Sequence, residues 1–436
     1  MGEVVLSRPA APAPHHHGFS TVDGSLHCED VSAERIARAA GTPTYVYSSA
    51  AVRDQFRRLD GAFAGVPHRL HFSVKANSNL AVLALLRGLG AGVDIVSGGE
   101  LHRATLAGFA GRDIVFSGVG KTERELDEAL AAGVRFVNAE SEGELVLLDL
   151  VARRRGVVAP VALRVNPEVS VDNPHEYIRT GGRGHKFGIP YDEALAAAQL
   201  ALRLDNVRLV GLDMHIGSQI SRFQPYGAAL ERVLELLARV RRAGAEELRY
   251  LDVGGGLSVP YEDEAPADVA EFARGVSALV GGSGLELVLE PGRFLVANAG
   301  VLLTRVLYRK RSGGKDYVIT DAGMNDLVRP SHYKAYHRVE AVTPNGRRAV
   351  ADVVGPVCES GDFFALDRET DDVEPGDLVA VRSAGAYGYV MASNYNSRPR
   401  AAEVLVDGDR WAVVTERESY EDLVRRECTA PEWRTD

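Results

Sequence analysis

Lys75 is the residue whose position in this sequence most directly suggests chemistry. It follows the apolar run Leu70–Val74 without a break. If that run is a strand that ends at the mouth of a barrel, desolvation should lower the pKa of the lysine and free its amine for Schiff-base formation with an aldehyde. A plain surface lysine at a strand end is the alternative.

Further polar residues and glycines stand just after other apolar runs. His215 follows one run, and a triple glycine at 254–256 follows the next. Consecutive glycines can turn several backbone N–H groups toward one anion, although they also suit a plain turn. The last run is followed by Glu290, a carboxylate that can face a cofactor, and by Arg293, whose guanidinium can bind a carboxylate.

These groups together match the needs of one cofactor, pyridoxal 5′-phosphate. A lysine amine condenses with its aldehyde, a flat imidazole stacks on its ring, backbone N–H groups hold its phosphate, and a carboxylate keeps its pyridine nitrogen protonated. The protonated ring can then take up an electron pair. Because four roles at one rim are more specific than any one of them, the sequence predicts a pyridoxal-phosphate enzyme.

The elements that must position these residues alternate between strands and helices. Helical patterns such as Leu80–Gly88 and Glu142–Arg155 separate short apolar runs, which indicates parallel strand pairing. Eight such units over about 220 residues predict an α/β fold, a (β/α)8 barrel of the TIM type, with its chemistry beyond the carboxyl ends of the strands. The predicted strands are Leu70–Val74, Val93–Val96, Asp113–Phe116, Arg135–Val137, Val161–Val165, Leu209–His215, Tyr250–Val253 and Glu286–Leu289.

The character of the sequence changes after Leu295. Short alternating runs, separated by turns such as Pro344-Asn345-Gly346, predict a mostly antiparallel β domain. The expected division is a flexible tail at residues 1–20, a cofactor-binding barrel at 45–294, and a β domain formed by 21–44 together with 295–436.

The composition excludes several classes of protein. The 436 residues include 50 lysines and arginines against 60 aspartates and glutamates, a net charge of −10, which disfavours binding to a nucleic-acid backbone. Three cysteines are too few for a disulfide framework, which favours the reducing cytoplasm. The sequence contains no run of 18 apolar residues, so it predicts no membrane-spanning helix. No metal site is predicted, since the histidines at 15–17 fit a mobile tail.

The sequence resembles the diaminopimelate decarboxylase family, which belongs to the fold type III, alanine-racemase-like pyridoxal-phosphate enzymes. The resemblance runs from about Phe19 to about Val406. Its most specific motifs are Val74-Lys75-Ala76-Asn77, Lys186-Phe187-Gly188, His215-Ile216-Gly217-Ser218, Gly254-Gly255-Gly256, Glu290-Pro291-Gly292-Arg293, Cys358-Glu359-Ser360 and Ala386-Tyr387-Gly388.

The resemblance implies a role around the cofactor for each matching residue. Lys75 is the implied Schiff-base lysine, His215 stacks on the ring, and Glu290 faces the pyridine nitrogen. Tyr387 is implied at both the phosphate and the substrate. The full set of implied cofactor-binding residues is Lys75, Asp94, His215, Ser218, Gly255, Gly256, Glu290, Gly292, Arg293 and Tyr387.

The implied substrate is meso-2,6-diaminopimelate, whose decarboxylation gives L-lysine and CO2. One of its two amino-carboxylate ends reacts at the cofactor, so the other must be held by fixed charges. Arginines can bind that carboxylate in bidentate fashion, and a glutamate can take its ammonium group. The implied substrate residues are Arg293, Arg329, Tyr333, Glu359 and Tyr387.

The resemblance also implies a homodimer with shared active sites. The family residues that match Cys358 and Glu359 reach the active site of the neighbouring subunit. Cys358 is then the expected proton donor to the carbon that loses its carboxylate, and otherwise an inert thiol. The implied catalytic residues are Lys75, His215 and Cys358.

Three alternatives stay open on the sequence alone. The same machinery can serve ornithine, arginine, carboxynorspermidine or a D-amino acid, but substrates without a second carboxylate need no clamp such as Arg329 with Glu359. An isomerase of the alanine-racemase type usually places an arginine, not a glutamate such as Glu290, at the pyridine nitrogen. A non-catalytic pyridoxal-phosphate carrier is a single barrel, which the β-rich C-terminal part disfavours.

Overall fold

The computed structural model describes residues 18–169 and 184–434, so the histidines predicted to lie in a tail, at 15–17, fall outside the described residues. Among the described residues, no helix combines the length and the apolar character that a membrane crossing requires. The described chain begins with β1 (Phe19–Val22), β2 (Ser25–Cys28), β3 (Val31–Ser32), helix α1 (Ala33–Ala40) and β4 (Thr44–Ser48).

Eight parallel strands close into the predicted barrel. Closure is complete because β8 pairs with β9 as well as with β7. Every predicted strand is present, and no end is shifted by more than two residues. The strands of this sheet are β5 (His68–Ser73), β6 (Gly92–Ile95), β7 (Ile114–Phe116), β8 (Phe136–Ala139), β9 (Ala159–Asn166), the two-residue β10 (Ile189–Pro190) beside β9, β11 (Val207–Asp213), β12 (Tyr250–Asp252) and β13 (Glu286–Leu289).

Helices cover the outside of the barrel, and local sequence signals begin several of them. Thr122 accepts a hydrogen bond from the backbone of Glu125, whose carboxylate binds back to Thr122, so a complete capping box begins its helix. Ser97 and Ser141 cap their helices in the same position. The helices are α2 (Ser49–Ala62), α3 (Leu80–Gly88), α4 (Gly98–Leu106), α5 (Glu123–Ala132), α6 (Glu142–Arg155), α7 (Tyr191–Arg203), α8 (Gln224–Arg242), α9 (Val269–Val280) and the one-turn α10 (Arg293–Val296).

A second, mostly antiparallel sheet follows the barrel, as predicted. Strand β4 belongs to this sheet, since it pairs antiparallel with β14 and parallel with β20; the predicted boundary at residue 45 therefore falls inside a strand of the second sheet. The elements after the barrel are β14 (Gly300–Ser312), β15 (Lys315–Thr320), α11 (Arg329–Tyr333), β16 (Val339–Ala341), β17 (Arg348–Val354), β18 (Phe363–Asp371), β19 (Leu378–Val381), β20 (Ala402–Asp407), β21 (Arg410–Thr415) and α12 (Tyr420–Val424).

Candidate active site

The two-residue repeat of the barrel strands places a polar layer above an apolar one. Val115, Phe136, Ala162 and Val288 are buried together in a cluster separate from the main core. Side chains two residues further along a strand point to the same face, one layer nearer its carboxyl end. That next layer consists of Ser117, Asn138, Arg164 and Glu290, all of them buried.

Lys75 lies at the carboxyl end of β5, where its ammonium nitrogen contacts a buried carboxylate. The Nζ–Asp94 Oδ2 distance is 2.8 Å, and the side chain of Lys75 remains 37% exposed while that of Asp94 is fully buried. Ser73 donates a second hydrogen bond to the same oxygen at 3.0 Å. Asp94 thus fixes the position of the amine at the mouth of the barrel.

The charge state of Lys75 differs from the one predicted. Burial alone would lower the pKa of the lysine, but the carboxylates of Asp94 and Glu290 outweigh it and raise the pKa above its ordinary value. Conversely, burial would raise the pKa of Asp94, and the contact with Lys75 lowers it instead. The prediction that desolvation frees the amine is therefore wrong, because the sequence did not reveal that Asp94 on the neighbouring strand contacts the ammonium group.

Glu290 lies at the end of β13 inside the polar layer. Its Oε1 accepts a hydrogen bond from Ser117 at 3.2 Å, and Ser117 in turn accepts one from Asn138 at 3.1 Å. Burial, together with the nearby Asp94 and Asp213, raises the pKa of Glu290 well above its usual range. A carboxyl group whose pKa is raised in this way can share a proton with a basic partner.

His215 and the glycine turn at 254–256 lie side by side at the barrel rim, after the neighbouring strands β11 and β12. The N–H of Gly255 donates to His215 Nδ1 at 3.2 Å. Desolvation, Arg164 and Lys75 lower the pKa of His215 to about 3, so the imidazole is neutral. A Cβ on Gly255 would lie 2.1 Å from the carbonyl oxygen of Glu290, and Gly256 has a φ of +104°, so both positions require glycine.

Arg293 begins α10 and brings several predicted residues together. Its Nε and Nη2 both donate to Ser218 Oγ at 3.3 Å, and its guanidinium lies 4.7 Å from the centre of the Tyr387 ring. Tyr387 donates its backbone N–H to Ala76, next to Lys75, at 2.8 Å. Arg293 and Tyr387 thus border the same mouth as the lysine.

Arg329 joins this group through a tyrosine that the sequence did not single out. Arg293 Nη1 donates to the hydroxyl of Tyr261 at 2.6 Å, while the guanidinium of Arg329 lies 4.7 Å from the Tyr261 ring centre. Burial would lower the pKa of Arg293, but Tyr261, Tyr387 and Tyr333 outweigh it and raise the pKa. A path of contacts therefore runs from Lys75 to Arg329.

Known proteins are similar to this chain in both sequence and fold. The sequence profile described as "Pyridoxal-dependent decarboxylase, pyridoxal binding domain" matches residues 49–297. The diaminopimelate decarboxylase of Pseudomonas aeruginosa is 51% identical over 417 residues, which cover 95% of this chain and 99% of that protein. This chain belongs to the diaminopimelate decarboxylase family of pyridoxal-dependent decarboxylases.

Solved structures of the family superpose over nearly the whole chain. The diaminopimelate decarboxylase of M. jannaschii in complex with L-lysine matches with a TM-score of 0.90 and 36% identity, covering 95% of this chain and 99% of that one. The enzyme of Helicobacter pylori, also complexed with L-lysine, matches with a TM-score of 0.87 and 40% identity, over 90% and 98% of the two chains. Because the superposed residues cover at least 90% of this chain, the similarity includes the second sheet as well as the barrel.

The residues at the mouth fit pyridoxal phosphate, the cofactor of this family. A lysine amine is held at the rim by Asp94, and the backbone of Gly255 and Gly256 packs so closely against Glu290 and Gly217 that a side chain would collide there. Gly292 is equally tight, since a Cβ there would lie 3.1 Å from the Cβ atoms of Ser73 and Ala76. The donor set therefore combines an amine, a backbone cradle and a buried carboxyl group, as the cofactor needs.

Two predicted residues stay apart from this group within the single chain. Cys358 and Glu359 are exposed, in a loop between β17 and β18. The backbone N–H of Cys358 donates to Asn396 Oδ1 at 2.7 Å. Among the described residues, no hydrogen bond or ion pair joins either of them to Lys75.

A buried ion pair at the rim explains one motif whose role the sequence left open. Arg164 Nη1 lies 2.8 Å from Glu140 Oε1, and the backbone N–H of Gly188 donates to Glu140 Oε2 at 2.9 Å. The guanidinium of Arg164 also lies 5.0 Å from the centre of the Phe187 ring. This pair fixes the Lys186-Phe187-Gly188 segment to the barrel. Its only sequence signal is polar residues at the ends of neighbouring strands.

Proposed function

We propose that the protein decarboxylates meso-2,6-diaminopimelate, replacing the carboxylate of its D-configured centre with a proton to give L-lysine and CO2. The observation that carries the substrate is a pair of buried guanidinium groups, Arg293 and Arg329, at the same mouth as Lys75. Among the described residues, no carboxylate lies within 4.0 Å of either group. Two buried positive charges without a protein counter-ion favour a substrate that keeps a carboxylate after the reaction.

When bound, pyridoxal phosphate supplies an aldehyde for the substrate amine and a ring that accepts the electron pair left by CO2. In this proposal Lys75 is the amine that holds the cofactor, and Asp94 keeps that amine at the rim through its 2.8 Å contact. The neutral His215 offers a flat apolar face, and the glycine turn at 254–256 lies beside the phosphate. Glu290, with its raised pKa, shares a proton with the ring nitrogen.

The remaining residues hold the far end of the substrate and complete the reaction. Arg293 and Arg329 bind the retained carboxylate, with Tyr333 and Tyr387 beside it, and Glu359 takes the retained ammonium. Cys358 Sγ delivers the proton to the carbon that has lost CO2. Because Cys358 and Glu359 are exposed and separate from Lys75 in one chain, we infer that they act in the site of a second copy, in a homodimer.

A side-by-side substrate assay tests the proposed activity. We expect kcat/KM for meso-diaminopimelate to exceed that for L-ornithine and L-lysine by at least about 100-fold, since an unfilled buried cation is costly. Release of CO2 and formation of L-lysine are both measured. Equal turnover of ornithine would contradict the substrate, and racemisation without CO2 release would instead indicate an isomerase.

Mixing inactive subunits tests the shared sites. The Lys75→Ala chain and the Cys358→Ala/Glu359→Gln chain should each be nearly inactive alone. After unfolding and refolding together in equal amounts, about a quarter of the wild-type activity should return, because half of the dimers are mixed and each mixed dimer has one intact site.

The matched control for mixing is a single chain that carries all three substitutions, mixed with the Lys75→Ala chain. That mixture contains no intact site and should stay inactive. If the first mixture also stays inactive while the mixed dimers are present by native mass spectrometry, both residues act in their own chain and the shared site is wrong.

We also propose the cellular compartment of the protein and the boundaries of its domains. All three cysteines are unpaired, which favours the reducing cytoplasm. We propose a cofactor-binding barrel at about 45–294 and a β domain from 21–44 with 295–436, to which β4 contributes by its pairing with β14 and β20. Limited proteolysis would test whether cleavage falls at these boundaries.

A further inference from the structure

Arg329 is held by a histidine outside the residues considered so far. Arg329 Nη1 lies 3.0 Å from His337 Nε2, and both side chains are buried. On its other side, His337 Nδ1 lies 2.8 Å from the backbone carbonyl oxygen of Arg382. A carbonyl only accepts, so Nδ1 carries the hydrogen and Nε2 offers a lone pair to the arginine.

The neutral state of His337 leaves the charge of Arg329 without a counter-charge. Burial, together with Arg329, lowers the pKa of His337 well below its ordinary value, so the ring stays uncharged. Tyr261, the other neighbour of Arg329, is no carboxylate either: burial would raise the pKa of its hydroxyl, but Arg293 and Arg329 outweigh burial and lower that pKa, and its ring packs edge-on at 5.2 Å from that of His337. Arg329 is therefore positioned by a histidine and a tyrosine rather than by a carboxylate. A carboxylate partner would have fixed it equally well but would have filled the place of a ligand.

We propose that His337 is a positioning residue for substrate choice: it fixes the guanidinium of Arg329 so that the site favours a ligand with a carboxylate at the end away from the reacting carbon. The proposal rests on the proposed function, since it takes Arg329 as the group that binds the retained carboxylate. Its effect falls on ligands that carry this carboxylate, namely meso-diaminopimelate and the product L-lysine. The affinity for cadaverine, a diamine of the same length without a carboxylate, should not depend on the position of Arg329.

Two substitutions separate the two hydrogen bonds of the ring. His337→Gln places a carbonyl oxygen near the position of Nε2 and keeps an acceptor for Arg329. His337→Asn places an amide N–H near the position of Nδ1 and keeps only the bond to Arg382. We expect His337→Asn to raise KM for meso-diaminopimelate and the inhibition constant of L-lysine by about 10- to 100-fold, the usual effect of one lost hydrogen bond to a charged group. Cadaverine inhibition should change by less than about threefold, and His337→Gln should restore most of the lysine affinity.

The measurements are steady-state KM and kcat with competitive inhibition by L-lysine and by cadaverine, on holoenzyme whose bound-cofactor absorbance matches that of the wild type. Equal losses for both inhibitors, or an Asn variant indistinguishable from wild type, would overturn the proposal. If the Asn variant does not fold, the Gln variant decides alone, because a tenfold loss of lysine affinity in it would exclude the acceptor role. Wild-type enzyme that is inactive on meso-diaminopimelate would refute the proposed function instead.

Discussion

The Lys75→Ala variant should lose decarboxylation by at least about 1,000-fold, together with the visible absorbance of the bound cofactor, because it removes the amine that condenses with the cofactor aldehyde. The geometry supports this expectation, since Asp94 and Ser73 fix the lysine at the end of β5. Turnover of meso-diaminopimelate and the absorbance spectrum of the purified protein are the measurements.

Two further lysine substitutions show which property of Lys75 matters. Lys75→Arg keeps a positive charge for Asp94 but has no condensing amine, so it should be as inactive as the alanine variant. Lys310→Ala removes an exposed lysine of the second sheet and should leave activity and absorbance unchanged. An unchanged visible band in Lys75→Ala would show that the cofactor is held by another residue.

Much of this site could be predicted because, in a barrel, a residue that directly follows a strand in the sequence lies at the rim formed by the carboxyl ends of the strands. Lys75, His215, the glycines at 254–256 and Glu290 each follow an apolar run, and parallel strands bring their carboxyl ends to one rim. The end of β5 therefore predicts the position of Lys75, and the end of β13 that of Glu290. The two-residue repeat further predicts that Glu290 faces inward once Val288 does.

The residues that were missed depend on contacts between segments far apart in the chain. Tyr261 follows no predicted strand, and His337 lies between α11 and β16, where the sequence indicates only a turn. The prediction of a lowered pKa for Lys75 is wrong for the same reason, because Asp94 on the neighbouring strand β6 pairs with the lysine. Burial and pairing act on the pKa in opposite directions, and only the distances decide which effect is larger.

The ionisable groups in the barrel do not all carry charge. Besides Glu140, which pairs with Arg164, four buried carboxyl groups influence one another near Lys75, those of Asp94, Asp213, Asp252 and Glu290. Burial raises the pKa of Asp213 to about 7, and burial with Glu290 raises that of Asp252 well above its usual range. Only Asp94 has a lowered pKa among these four. The site therefore favours a charged Lys75–Asp94 pair and a proton stored on the carboxyl groups of Asp213, Asp252 or Glu290.

This stored proton makes Glu290→Gln the second substitution with a large expected effect. Glutamine keeps the size and the contact with Ser117 but cannot exchange a proton with a ring nitrogen. We expect kcat to fall about 100- to 1,000-fold, because the charge that develops as CO2 leaves loses its fixed stabilisation. Single-turnover decarboxylation and the pH dependence of the bound-cofactor absorbance measure the effect.

Asp252→Asn is the matched control, since it makes the same change from carboxyl to amide in the same cluster. Asp252 Oδ1 accepts a hydrogen bond from the N–H of Gly254 at 2.9 Å, and an asparagine oxygen can accept it equally well. We expect kcat of this variant to stay within about fivefold of the wild type, as for a residue without a role in the transition state. Equal losses in both variants would mean that the charge of the whole cluster, rather than a proton shared by Glu290, governs the rate. A large loss in Glu290→Gln alone, with the cofactor absorbance no longer responding to pH in the same way, would locate that proton on Glu290, because the two variants remove the same number of carboxyl groups from the barrel.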